Sequence, residues 1–209
     1  MKRSVIIFAA CLTLLARTAK AQYFEGEIVY ENSFRSKVPR LTAGKLASLI
    51  GDGQQYYIKD GHYKSLTNGG MIEMQLYDNA TNRIYNKRPV SDTLYWFDAS
   101  VNTDTLISFQ VRKNAEMILG NLCDELIMRT KTGITAFYYS SKYRLDGSKY
   151  RAHGYNNWAF YTTKCGALPL KIVLENRQFR MESIAREVKP LKMDESFFRT
   201  VGAPVKRSN

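Results

Sequence analysis

Histidine, cysteine and proline are scarce in this chain, with two, three and five of them in 209 residues. With only His62 and His153 available, a catalytic triad or a histidine metal centre has little to draw on. Neither histidine stands beside a G-x-S-x-G element, and no H-E-x-x-H, C-x-x-C or Asp-rich calcium loop occurs. Both are read as ordinary surface or turn residues. The carboxylate pairs Asp124-Glu125 and Asp194-Glu195 are adjacent, so in extended chain they face opposite sides and cannot share a substrate. A glycine-rich phosphate loop between strand and helix is also missing. These absences argue against an enzyme, a bound metal and a cofactor.

Other absences bear on the partner and the compartment. The basic residues form no dense run and no nucleic-acid motif accompanies them, so nucleic acid is not an expected partner. No repeat, low-complexity tract or Pro/Ser-rich linker divides the chain. The longest apolar stretch, residues 5–16, falls short of the roughly twenty residues that a membrane-spanning helix needs. It has instead the form of a secretory signal: Lys2 and Arg3 precede it, and Ala19-Lys20-Ala21 offers small residues for cleavage before Gln22. Phe8-Ala9-Ala10-Cys11 is a rival reading, a lipoprotein box whose cysteine is lipidated, but it leaves apolar residues stranded after the cut. Residues 1–21 are therefore expected to be removed, and residues 22–209 to form one domain in the periplasm or another extracytoplasmic space. Removal of Lys2, Arg3, Arg17 and Lys20 lowers the formal charge from +12 to +8, a charge read mainly as a soluble surface. Cys123 and Cys165 then remain, and an oxidising compartment favours a disulfide between them; two buried free thiols would leave the same sequence.

What is present is strand after strand. Phe24, Gly26, Ile28 and Tyr30 alternate with Glu25, Glu27 and Glu31, the period of a half-buried strand. Thr42 is placed to cap a short helix whose Leu46, Leu49 and Ile50 share a face, and Gly51 to end it. Asp60-Gly61 marks a tight hairpin between residues 56–58 and 62–64. Further strands are expected at 71–77, 83–86, 93–97, 105–111, 117–123, 125–130 and 134–139. A polar, tyrosine-rich loop follows at 140–157, with a helical turn at 158–161. Leu168, Leu170, Ile172 and Leu174 resume strand spacing. Residues 179–188 fit a helix by propensity, but a hairpin through Asn176-Arg177-Gln178 makes them a strand. The fold class is mainly β: a large curved antiparallel sheet or incomplete barrel of about ten strands with one or two short helices.

Four segments resemble, in order, exported envelope proteins of the GLPGLI type. They are Phe24-Glu25-Gly26-Glu27-Ile28-Val29-Tyr30, Ile118-Leu119-Gly120-Asn121-Leu122-Cys123, Tyr138-Tyr139 and Gly166-Ala167-Leu168-Pro169-Leu170-Lys171-Ile172. The last lacks the second glycine of the name-giving motif. Such proteins look like relatives of the LolA-like lipoprotein carriers, so the resemblance implies an incomplete antiparallel barrel covered by helices that holds acyl chains. It transfers no ligand-contacting residue.

Fourteen tyrosines, ten phenylalanines and two tryptophans supply rings for either a core or a ligand surface. On the carrier reading, helix 42–50 is a lid, and Leu46, Ile50, Phe109, Leu170, Ile172 and Leu174 surround an apolar cavity for a lipid or lipoprotein acyl chain. On the alternative, the barrel is filled, and an exposed edge or the loop from Tyr143 to Tyr155 engages another envelope protein.

Overall fold

In the computed structural model, which describes residues 23–200 and 202–208, the alternating residues after Phe24 form the middle of one large sheet. The expected signal segment, the rival box at Cys11 and the cut before Gln22 lie outside the described residues. The strands are β1 (Gly26–Ser36), β2 (Gly53–Lys59), β3 (His62–Thr67), β4 (Met74–Asp78), β5 (Arg83–Lys87) and β6 (Leu94–Asp98) in the first half. The second half adds β7 (Leu106–Ile118), β8 (Asn121–Thr130), β9 (Gly133–Arg144), β10 (Ala167–Asn176), β11 (Phe179–Pro190) and β12 (Val205–Arg207). Helix α1 (Ala43–Ile50) follows β1, and α2 (Trp158–Cys165) follows β9.

Across the sheet the order is β12, β6, β5, β4, β3, β2, β1, β11, β10, β9, β8, β7, antiparallel except that β12 runs parallel to β6. The curved sheet stays open, with β7 and β12 as its two edges. Among the described residues there are twelve strands, against the expected ten or so. Two further differences from the sequence reading stand out. The three exposed residues of β12 have no apolar alternation to announce them. The break expected after Val111 does not exist: β7 runs on to Ile118 and absorbs the irregularity as a bulge between Arg112 and Glu116, where Asn114 has φ 53°.

The expected strand 117–123 is in fact a hairpin. Leu119 (φ 47°) and Gly120 (φ 70°) reverse the chain between β7 and β8, as Asp60 (φ 43°) and Gly61 (φ 90°) do between β2 and β3. Two successive left-handed residues match the twist of the strands they join. Helix α1 forms as its caps foretell: Thr42 Oγ1 accepts from Lys45 N at 3.2 Å, and Gly51 ends it with φ 100°. Residues 179–188 are strand because β11 pairs on both sides, with β1 and with β10. A helix there would forfeit both ladders and leave the middle of the sheet unpaired.

The two faces bury different clusters. Leu76 and Tyr77 are neighbours on β4 and point to opposite sides. Tyr77 joins Ile28, Tyr63, Ile84, Leu168 and Leu170 on the inner face, whereas Leu76 packs with Tyr85, Leu94 and Phe198 beneath the C-terminal segment. Burying each such leucine contributes about 2 kcal/mol. Among the described residues, no helix is long and apolar enough to cross a membrane.

Candidate ligand cavity

Strand register decides which side chains share the inner face. On one side of β1, Tyr56 stands opposite Ser65, Ser65 opposite Gln75, and Tyr63 opposite Tyr77. On the other side, Ser183 stands opposite Ile172 and Ile172 opposite Phe137. Directly paired residues project from the same face of a sheet. Part of this face, together with the segment between β9 and β10, lines an open cavity of about 460 Å³. That lies within the range of about 300–1,000 Å³ usual for sites that take a small organic ligand.

The sheet side of the cavity is aromatic. Tyr56 stacks on Tyr63 at 5.3 Å, Tyr63 on Tyr77 at 5.2 Å, and Tyr77 on Tyr150 at 6.1 Å, all with rings within 27° of parallel. Burial pushes the Tyr56 and Tyr63 phenols far above their ordinary range, so both are uncharged. Tyr30 donates its hydroxyl to the Pro169 carbonyl at 2.5 Å, which ties β1 to β10 across the intervening strand.

The opposite wall is built by His153, Tyr155, Asn157 and Trp158. His153, expected on the surface or in a turn, is only 2% exposed. Its Nε2 lies 3.0 Å from the Tyr63 hydroxyl, and its ring packs 4.3 Å from that of Tyr77. Burial lowers its pKa to about 4, so it stands neutral at ordinary pH and cannot lend a charge to the cavity. Trp158 follows two asparagines in left-handed conformation, Asn156 (φ 51°) and Asn157 (φ 59°), a backbone that asparagine tolerates better than most residues. Asn157 Nδ2 donates to the Asp104 carbonyl at 2.9 Å, and its Oδ1 accepts from Asn102 at 2.8 Å. The entry to α2 is thereby fastened to the loop before β7, and Trp158 is held over the sheet.

The expected lining was half right in kind and mostly wrong in residue. Ile172 and Leu174 line the cavity; Leu46, Ile50, Phe109 and Leu170 do not. Leu170 points into the filled part of the inner face, and Phe109 packs edge-on against Phe160 of α2, 5.1 Å away. Helix α1 is no lid, because it packs against β1 and adds no residue to the lining. The cover comes from the segment between β9 and β10, within the tyrosine-rich stretch that begins at Tyr143. Cys123 and Cys165, the expected pair, are free thiols in the structure; Cys123 is buried and Cys165 half-buried. Burial pushes both thiols up, Cys165 to about 12.

A second cleft, of about 520 Å³, lies beside the β2–β3 turn and is lined by Lys59, Asp60, His62, Asp78, Glu195 and Arg199 among others. Its charges are answered from within the protein: Lys59 meets Glu25 at 3.3 Å and Asp60 meets Lys149 at 3.1 Å. His62 Nδ1 lies 3.2 Å from the Asn79 backbone nitrogen and 3.4 Å from Asp78 Oδ1. Among the described residues, no three histidine, cysteine or carboxylate side chains gather as a metal site.

The sheet and its cavity define the class: an open, curved, antiparallel sheet with a ligand-sized hollow on its inner face. No protein-family profile matches the sequence, and no curated protein matches it. Among solved structures, the chain is similar to PNGF-II in two crystal forms, each at a TM-score of 0.48. Identity is 13% and 12%, and the match covers 88% and 89% of this chain. The chain spans about a third of the length of PNGF-II, 32% and 31% of it. It is also similar to the Mycobacterium tuberculosis lipoprotein LppX, at a TM-score of 0.38 and 10% identity, over 81% of this chain and 90% of that one.

Proposed function

We propose that this chain is a non-catalytic, exported envelope protein that binds an apolar or lipid-like ligand on the inner face of its sheet. The observation that carries the reading is the cavity itself: Tyr30, Tyr56, Phe137, Trp158, Ile172 and Leu174 leave a hollow of about 460 Å³ instead of meeting across it. Apolar surface left open in this way gains free energy when a ligand covers it, at roughly 25 cal/mol per Å². The signal-like N-terminus and the resemblance to GLPGLI-type proteins support an extracytoplasmic site of action. The test is titration with the neutral, environment-sensitive dye N-phenyl-1-naphthylamine. Wild type should enhance its fluorescence, and Ile172→Trp, which fills the cavity, should bind it about tenfold more weakly, the equivalent of about 1.4 kcal/mol. Equal binding by both proteins would refute the assignment of the site.

A second reading rests on the edge strand. Residues 107–115 of β7 are all exposed, including Ile107, Phe109 and Val111. An open edge of this length offers unpaired backbone groups to a strand from another envelope protein. Proline substitution of Gln110 would abolish such pairing and leave dye binding intact.

A further inference from the structure

The two edges of the sheet differ in kind, and what they imply rests on the edge-strand reading above. β12 is three residues long and carries Lys206 and Arg207, both exposed, so it is blunted against further pairing. β7 is thirteen residues long, and residues 107–115 of it are all exposed.

Irregularities confine the part of β7 that another strand can follow. Its register against β8 shifts between Leu106 and Ser108 and again between Arg112 and Glu116, so within the exposed edge only residues 108–112 run regularly. Beyond them Asn114, with φ 53°, gives its N–H to Asp124 Oδ1 at 3.1 Å, and the backbone turns back into its own protomer. Bulges usually blunt an edge, but these two leave a window between them. In that window alternate residues turn their N–H and C=O groups away from β8.

The window is complementary to itself. Its midpoint is Gln110, and a two-fold axis there sets residues 108–112 antiparallel to the same residues of a second copy. Phe109 then stands opposite the partner's Val111, and Val111 opposite the partner's Phe109, an aromatic against a β-branched side chain in both pairs. Gln110 meets its own copy, and Ser108 meets the partner's Arg112. Phe109 and Val111 are 46% and 41% exposed, and they lie on the inner face with Met128 and Leu126, their partners on β8. Phe160 at 5.1 Å and the Lys164 ammonium at 5.0 Å hold the Phe109 ring in place without covering it. Neighbouring centres match less well: an axis at Val111 sets Phe109 against the partner's Lys113, and one at Phe109 runs Val111 into the partner's bulge at Ile107. The charges of the window are also answered before two copies meet, because Arg112 pairs with Glu125 and Lys113 with Asp124 in one protomer.

We infer that two copies of this chain associate through β7, antiparallel about Gln110, into one continuous sheet. Directly paired residues project from the same face, so both inner faces, and with them both cavities, open on the same side of the dimer. An interface one strand wide buries less than the roughly 1,600 Å² of a standard stable complex, so the dimer is weak, with a dissociation constant on the order of 10–100 µM.

The test is sedimentation equilibrium of the protein recovered from the cell envelope, at about 1 to 500 µM, with disulfide trapping alongside. Wild type should pass from monomer to dimer across that range. Gln110→Pro should stay monomeric while it still binds N-phenyl-1-naphthylamine. Val111→Glu changes only an exposed side chain and covers the case in which the proline variant folds poorly; it should weaken association at least about tenfold. Under mild oxidation, Phe109→Cys mixed with Val111→Cys should give a dimer that reduction splits, and neither variant should give one alone; wild type treated likewise controls for Cys123 and Cys165. A monomer throughout the range would overturn the inference and leave the edge to a strand from a different protein. A dimer unaffected by Val111→Glu would place the contact elsewhere and remove the support for the edge reading as well. Cross-links formed by one variant alone as readily as by the mixture would overturn the pairing about Gln110.

Discussion

Acidification should destabilise this protein through His153. The imidazole is 2% exposed, hydrogen-bonded to Tyr63 and enclosed by the rings of Tyr63, Tyr77 and Trp158. Burial lowers its pKa from the ordinary 6.5 to about 4. Below pH 6.5 the unfolded chain therefore binds a proton that the folded chain refuses. The contribution to stability is complete above 6.5 and is lost progressively as the pH falls towards 4. At about 1.4 kcal/mol per pH unit, the full loss is about 3.5 kcal/mol, of which about 2.5 kcal/mol is lost between pH 7.5 and 4.5. Urea titrations at the two pH values measure the loss directly, and His153→Gln is the control: its overall stability should be lower, but its change between pH 7.5 and 4.5 should shrink by about 2.5 kcal/mol. An identical pH dependence in wild type and variant would refute the assignment.

Three other perturbations probe the walls of the cavity and its surroundings. Asn157→Ala removes two side-chain hydrogen bonds and a residue suited to left-handed backbone, so it should cost about 2 kcal/mol in chemical denaturation. It should also weaken dye binding, and an unchanged affinity would mean that Trp158 does not depend on this anchor. Tyr150→Phe deletes a buried hydroxyl that has no hydrogen-bond partner, so the melting temperature should hold or rise; a fall of several degrees would show that the hydroxyl is satisfied. Cys123 and Cys165 should resist a maleimide in the native protein, because burial disfavours both thiolates, and should each take one label after unfolding. Absence of label on the unfolded, unreduced protein would demonstrate a disulfide.

The elements written in local chemistry were legible, and those written in tertiary contacts were not. Thr42 and Gly51 bracket α1 because a cap needs only its own turn, and Asp60-Gly61 sets its hairpin by backbone preference alone. Leu119-Gly120 does the same, but it sits inside an apolar run that reads as one strand. Amphipathicity marked the face that α1 buries without saying that β1, and not the cavity, would receive it. His153 and Asn157 carry no local signal of burial. Their roles depend on Tyr63 and Asp104, which lie 90 and 53 residues away in the chain. Two consecutive asparagines before a tryptophan were the available hint of a fixed turn. A cavity was one of two expectations for a tyrosine-rich sheet, a filled core being the other, and Ile172 and Leu174 were named for it from a run whose strand alternation places both on one face. The remaining wall is brought in by the long connection from β9 to β10, whose path no periodicity records.

Native mass spectrometry of the protein recovered from the cell envelope, with lipid extraction of the same sample, tests the central claim most directly. The account predicts a co-purifying small molecule that is lost on denaturation, appears in the extract as a lipid or other apolar molecule, and is absent from Ile172→Trp prepared in parallel. A bare protein mass, with no binding of added N-phenyl-1-naphthylamine, would contradict it and leave the exposed edge of β7 as the feature to explain.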